Sequence, residues 1–187
     1  MPSLSEADRR AALELARTAV TFAVSHRKLP ESIPYEGIFA ERRGVFVTIH
    51  VRRRLQGCIG VIEATEPLGE AIVRCAASAA LEDPRFAPMR TDQLAGLSVE
   101  ISLLSALQPI TLESIEIGRH GLFVQLHAQR GLLLPQVAVE HCLTREQFLA
   151  ETCRKAGLRG QAWRDPEARL LGFTCDVFSE NSRLEEN

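Results

Sequence analysis

Residues 45–62 constrain the fold most, because they predict two strands that return on each other. Val45–Val51 alternates in polarity and is rich in β-branched residues, a pattern typical of a strand. Leu55–Ile62 has the character of a second strand, and the basic run Arg52–Arg54 separates the two. The segment therefore predicts an antiparallel hairpin with its turn at the arginines.

A turn centred on Arg53 determines which residues face each other across the hairpin. Thr48 then lies opposite Cys58, and His50 lies opposite Gln56. The other face pairs only apolar residues and glycine, as a core-facing side requires: Val51 with Leu55, Ile49 with Gly57, Val47 with Ile59 and Val45 with Val61. This register predicts that Cys58 lies on the polar face, and a shift of one residue would reverse that.

The second strand carries a cysteine between two glycines. Gly57 and Gly60 have no side chains, so a ligand or another backbone can approach closely and leave the Cys58 sulfur uncrowded. His50 lies diagonally across from Cys58, within reach of an imidazole. Cys58 and His50 are therefore candidates for a nucleophile and its base. The alternatives are a packing role for Cys58 and an ordinary exposed strand position for His50.

Composition is that of an ordinary soluble globular protein. The 187 residues suit one domain, and the hydrophobic and charged fractions are 45% and 25%. A net charge of −2 argues against a nucleic-acid surface, which only the basic runs Arg52–Arg54 and Arg154–Arg164 would favour. No apolar run approaches the ~20 residues that span a bilayer, and the first ten residues lack the apolar core of a secretory signal. We therefore expect a cytoplasmic protein without membrane association.

The cysteines do not predict a disulfide framework or a metal site. There are five of them, widely scattered and without a C-x-x-C pair. The run Glu140–Cys142 contains ligand types, but three consecutive residues cannot share one face of a helix. No P-loop, G-x-S-x-G, H-E-x-x-H or Rossmann fingerprint is present, so the residues identify neither a cofactor nor a reaction.

Capping and periodicity predict the remaining elements. Helices are expected from Ser5 to about Val24, from Pro67 through Ala79 and from Thr144 to Ala156, with a short one at Pro135–Val139. Further strands are expected at Leu97–Leu104, Leu122–Leu126, Gly131–Leu134 and Leu170–Phe178. Because helices and strands interleave without a regular βαβ rhythm, the chain predicts an α+β fold with a mostly antiparallel sheet flanked by helices.

Six blocks, in order, extend over nearly the whole chain: Leu55–Gly60, Glu82–Phe86, Val99–Ser102, Ile117–Leu122, Gly131–Ala138 and Thr152–Leu158. Together they resemble the AMMECR domain family, whose prokaryotic members are called AmmeMemoRadiSam system protein A. The family usually has arginine where this chain has Gln56, so the cations nearest in sequence to the thiol are Arg52–Arg54.

The resemblance implies one AMMECR-like domain over residues 1–187, with a larger α+β lobe and a smaller β-containing lobe. The signature Leu55–Gly60 would lie near a cleft between the lobes, whose boundaries have no signal in the sequence. The resemblance also implies association with a Memo-type protein and a radical SAM protein.

Further candidates for binding lie inside the blocks of the resemblance. Gln56, Gly57 and Gly60 flank the thiol. Arg85 is expected to be anchored by Glu100 on the polar side of its strand, either as a structural brace or as part of the site. His120 is the sixth candidate. It lies between two glycines, in a corner where a polar group either binds a ligand or stabilises the turn.

Two functions follow as hypotheses. The first is an enzyme or enzyme component that uses Cys58 in a cleft. The second is a non-catalytic accessory module that binds the Memo-type and radical SAM proteins.

Overall fold

A computed structural model describes residues 4–34, 36–63 and 65–180 of the chain. In this part of the chain the α-helices are α1 (Glu6–His26), α2 (Leu68–Leu81), α3 (Pro135–Glu140) and α4 (Arg145–Lys155). The strands are β1 (Val45–Val51), β2 (Arg54–Val61), β3 (Leu97–Leu104), β4 (Gln108–Pro109), β5 (His120–Leu126), β6 (Gln129–Leu133) and β7 (Arg169–Ser179). The predicted α+β class is confirmed.

The predicted capping boxes begin two of the helices. At the start of α1, the Asp8 N–H donates to Ser5 Oγ at 3.1 Å, and the Ser5 N–H donates back to the Asp8 carboxylate. Thr144 and Gln147 exchange the same two bonds at the start of α4. Each pair satisfies amide groups that the first turn of a helix leaves without partners, so both predictions are confirmed.

The chain divides into two compact units. The first contains the described residues up to Leu104 and those from Asp176 onward, and the second is Ser105–Cys175. Strand β7 begins in the second unit and ends in the first. Among the described residues, no helix combines the length and apolarity that crossing a bilayer requires.

The first unit packs α1 and α2 against one face of an antiparallel sheet with the strand order β2-β1-β3. Alternate residues of β1 and β3 are fully buried on that face and join the two helices in one hydrophobic core. The strand residues in this core are Val45, Val47, Ile49, Val99, Ile101 and Leu103.

The hairpin of β1 and β2 contains one irregularity that the sequence did not predict. The register from Val45–Val61 to Ile49–Gly57 is confirmed, and Thr48 lies opposite Cys58. Nearer the turn the predicted pairs are wrong, because His50 lies opposite Leu55 and Val51 lies opposite Arg54.

The reason for this shift is the turn. Only Arg52 and Arg53 form it, with φ angles of 51° and 66°, as in the two-residue turns that match the twist of a hairpin. A two-residue turn is one residue shorter than the predicted one. Gln56 bulges out of β2 and restores the register.

The second unit builds its own antiparallel sheet, in which β7 pairs with β4 and β5, and β5 pairs with β6. Helix α4 packs against β5 and β6, and α3 against β5. The core that results contains Ile115, Leu122, Ala138, Phe148 and Leu149.

Candidate functional site around Cys58

Gly57 determines on which face of the sheet the cysteine lies. A Cβ atom at Gly57 would lie 1.9 Å from the Ala79 carbonyl oxygen, so α2 packs directly against the backbone of β2 at this point. Successive side chains of a strand point to opposite faces. Cys58 therefore lies on the face away from α2, where it is half-buried.

Thr48 is the hydrogen-bond partner of the thiol. It lies directly opposite Cys58 on β1, and its Oγ1 donates to the Cys58 Sγ at 3.3 Å. His50 lies two residues further along β1 on the same side, but within residues 4–34, 36–63 and 65–180 no hydrogen bond joins it to Cys58. The structure thus places a hydroxyl beside the sulfur, while the role of His50 as a base stays a prediction.

An ion pair occupies the free edge of the sheet beside Cys58. In the sheet that the described residues form, β2 is an edge strand, so the outward N–H and C=O of Cys58 have no neighbouring strand there to pair with. The Cys58 N–H donates to Asp83 Oδ2 at 2.9 Å, and Arg85 Nη2 donates to the Cys58 carbonyl at 3.2 Å. Asp83 and Arg85 together thus take the place of the missing strand.

Asp83 is buried and ionised. Its side chain is 1% exposed, and it accepts bonds from the Arg85 N–H, Nε and Nη2 at 3.1, 2.9 and 2.7 Å. The pKa of Asp83 lies well below its ordinary value, first because Arg85 donates to the charged carboxylate and then because the Cys58 N–H does so too, against the opposing effect of burial. The same contact with Asp83 raises the pKa of Arg85, and Cys58 adds to that rise.

The expected brace is present with a different partner. Arg85 is held by Asp83 and not by Glu100. Glu100 lies opposite Thr48 on β3, so Cys58, Thr48 and Glu100 form one row across three neighbouring strands on the same face of the sheet. Arg85 and Glu100 were predicted site residues and Asp83 was not, although Asp83 lies in the same block of the chain as Arg85.

Gln56 and Gly60 have local structural roles. Gln56, the bulged residue, donates from Nε2 to the Ala87 carbonyl at 2.8 Å and so ties β2 to the loop after Arg85. A Cβ atom at Gly60 would lie 2.4 Å from the ring of Phe46, which covers this glycine from the opposite strand. Their predicted part in ligand binding stays a prediction.

His120 belongs to the second unit and closes a turn. The ring Nδ1 of His120 accepts from the backbone N–H of Glu116 at 3.0 Å. The backbone N–H of His120 donates to the Glu116 carbonyl, also at 3.0 Å. The side chain also lines a cleft of about 290 Å³ together with Ser105 and Phe173. The turn-stabilising role is thus visible in the structure, and the imidazole faces a space as well.

Three of the other four cysteines differ from Cys58 in exposure, and Cys175 resembles it. Cys75 and Cys153 are fully buried, Cys175 is half-buried and Cys142 is exposed. Burial raises the pKa of Cys75 to about 11, so this thiol stays protonated at neutral pH. In the described part of the chain, no three side chains of the metal-binding types His, Cys, Asp and Glu are grouped to hold an ion.

Comparison with known proteins identifies the family. The AMMECR1 family model matches residues 13–178. A protein of Methanothermobacter thermautotrophicus is 40% identical over 188 residues, covering 95% of this chain and 97% of its own length. A protein of Thermococcus gammatolerans is 41% identical, covering 90% of this chain and 88% of its own length.

The crystal structure of an uncharacterised protein from Pyrococcus horikoshii superposes with a TM-score of 0.82 at 36% identity, covering 91% of this chain and 90% of that one. The chain therefore belongs to the AMMECR1 family.

Proposed function

We propose that Cys58 is the reactive thiol of an enzyme or enzyme component. One observation carries the proposal: both outward backbone groups of Cys58 are held by Asp83 and Arg85, while its side chain lies half-buried beside the Thr48 hydroxyl. A nucleophile works best when its surroundings hold it in one position. The ion pair that closes the sheet edge therefore also fixes the backbone from which the thiol projects.

A cation and a hydroxyl lie near Cys58. The thiolate is the nucleophile, and it is stabilised by positive charge and by hydrogen-bond donors. Arg85 supplies the positive charge, and its Nη2 donates to the Cys58 carbonyl at 3.2 Å. Thr48 supplies the donor at 3.3 Å. His50, which lies two residues from Thr48 on the same side of β1, is our candidate to receive the thiol proton.

Limited alkylation tests this proposal. The native protein is treated at neutral pH with less than one equivalent of iodoacetamide, and the modified peptide is identified by mass spectrometry. We expect the Cys58 peptide to carry most of the label and the Cys58→Ser protein to take up far less. Label that falls mainly on the exposed Cys142 would count against a reactive Cys58.

The alternative is a non-catalytic accessory module that binds a Memo-type protein and a radical SAM protein. It is favoured by the partner of the thiol, because within the described residues a hydroxyl and not a titratable base is hydrogen-bonded to Cys58. Co-purification of the three proteins from one organism tests it. A complex that persists with Cys58→Ser supports the module, and no association at micromolar concentrations argues against it.

A further inference from the structure

The second unit contains a larger cleft, separate from the turn at His120. It has a volume of about 710 Å³ and lies where the end of β6 meets α3, the loop after α3 and the last turns of α4. This volume is within the range of roughly 300–1,000 Å³ typical of small-molecule sites. The apolar part of its wall is formed by Leu133, Val137 and Leu143, all half-buried.

The polar part of the wall has one cation that no acid balances. Glu151 and Arg154 are ion-paired with each other, one turn apart on α4. Lys155 follows on the same helix and also lines the cleft, and it has no ion pair within the described residues. His141 lies at the exposed rim and adds a ring nitrogen. The cleft therefore combines an apolar wall with a single uncompensated positive charge.

We propose that this cleft binds a small amphipathic molecule with one anionic group, such as a carboxylic acid with an aliphatic or aromatic body. The apolar body lies against Leu133, Val137 and Leu143, and the anion lies at Lys155. Glu151 already pairs with Arg154 through Nη1, so Lys155 is the cation of this wall that lacks an acid partner within the described residues. A lysine is a compact point charge, which suits one carboxylate.

The chain offers an unusually direct test, because it contains only two lysines, Lys28 and Lys155. Reductive methylation with ¹³C-formaldehyde keeps their charge and gives each lysine one resonance besides that of the α-amino group. The spectra of Lys28→Gln and Lys155→Gln assign the two lysines. Decanoate is then titrated into the full-length protein. We expect a saturable shift of the Lys155 resonance, while Lys28, which is exposed in the first unit, serves as the internal control.

Affinities in three proteins complete the test. Lys155 is exposed, so its charge contributes as in an exposed ion pair, and Lys155→Gln should weaken decanoate binding by about two- to fivefold. Lys28→Gln should bind like the wild type. Decanol, which has no charge, should bind the wild type and Lys155→Gln equally. No saturable shift, equal shifts at both lysines, or unchanged decanoate affinity in Lys155→Gln would each overturn the proposal.

Discussion

The Asp83 carboxylate accepts the backbone N–H of Cys58 at 2.9 Å across a sequence separation of 25 residues. This bond lies at the open edge of a sheet, where an unpaired N–H would otherwise invite another strand. Arg85 completes the arrangement, since it binds both the carboxylate and the Cys58 carbonyl. The edge of β2 is therefore closed at the residue whose side chain is the candidate nucleophile.

Replacing Asp83 tests the stability that this closure provides. Asp83→Asn loses the charge that Arg85 and the Cys58 N–H bind, so we expect the free energy of unfolding at pH 7 to fall by about 2 kcal/mol. Asp92→Asn is a matched control, because Asp92 binds Arg90 in the same bidentate way but at an exposed site. Urea unfolding should show little change in the control. Equal effects in the two variants would contradict the role of burial.

The lowered pKa of Asp83 predicts the pH dependence of that stability. Between its folded and its ordinary pKa the native protein binds fewer protons than the unfolded chain, so stability rises with pH. We expect the wild type to lose this contribution as the pH falls below about 4. Asp83→Asn should lack this part of the pH dependence in urea titrations between neutral and acidic pH. Parallel curves for the two proteins would refute the assignment.

Gly57 should not tolerate a side chain. Because a Cβ there would lie 1.9 Å from the Ala79 carbonyl oxygen, Gly57→Ala must push α2 away from β2. We expect a loss of about 3 kcal/mol or more in the free energy of unfolding. The control is Gly37→Ala, where the new Cβ would meet open space. Only the φ of +57° disfavours this substitution, and it should lower the free energy of unfolding by about 1 kcal/mol. A smaller loss at Gly57 than at Gly37 would mean that the packing is looser than described.

The turn of the hairpin stores strain that a substitution can remove. Arg52 and Arg53 both have positive φ angles, which side chains disfavour. Changing the pair to Asn-Gly, the residues preferred in such turns, should stabilise the protein by about 1 kcal/mol. Arg54→Gly, placed in the extended strand next to the turn, should instead destabilise it. Thermal unfolding of the two proteins distinguishes these directions.

The Thr48 hydroxyl should influence the reactivity of Cys58 and not the fold. Thr48→Val keeps the shape of the side chain but removes the donor 3.3 Å from the sulfur, so we expect slower alkylation of Cys58 at neutral pH. Thr48→Ser keeps the hydroxyl and should keep the rate. If Thr48→Val alkylates as fast as the wild type, the hydroxyl has no part in activating the thiol.

Local signals explain what could be predicted from the sequence. The capping boxes at Ser5 and Thr144 involve residues three positions apart, so they are visible in a short window. The register of Thr48 and Cys58 followed from the requirement that one face of the hairpin be apolar. The bulge at Gln56 has no such signal, because it arises where a two-residue turn must be reconciled with the packing of the strands.

The site was predicted less completely, because its contacts are long-range. Asp83 reaches Cys58 only when α2 lies against β2, and the helix position depends on the bare backbone of Gly57. A sequence shows that a carboxylate and an arginine are near each other in the chain, but not which backbone groups they bind. Glu100 therefore looked like the natural partner of Arg85 from the polar face of its strand, and Asp83 was missed.

The rate of Cys58 alkylation as a function of pH tests the central claim most directly. Wild-type protein is pulse-labelled in the native state, and the alkylation rates of Cys58 and Cys142 are followed by peptide mass spectrometry. The buried Cys75 is the internal control, because it should react only after unfolding. We predict that Cys58 reacts faster than Cys142 at neutral pH although it is less exposed, and that Arg85→Gln slows Cys58 alone. A Cys58 that reacts no faster than Cys142 at any pH would contradict the account.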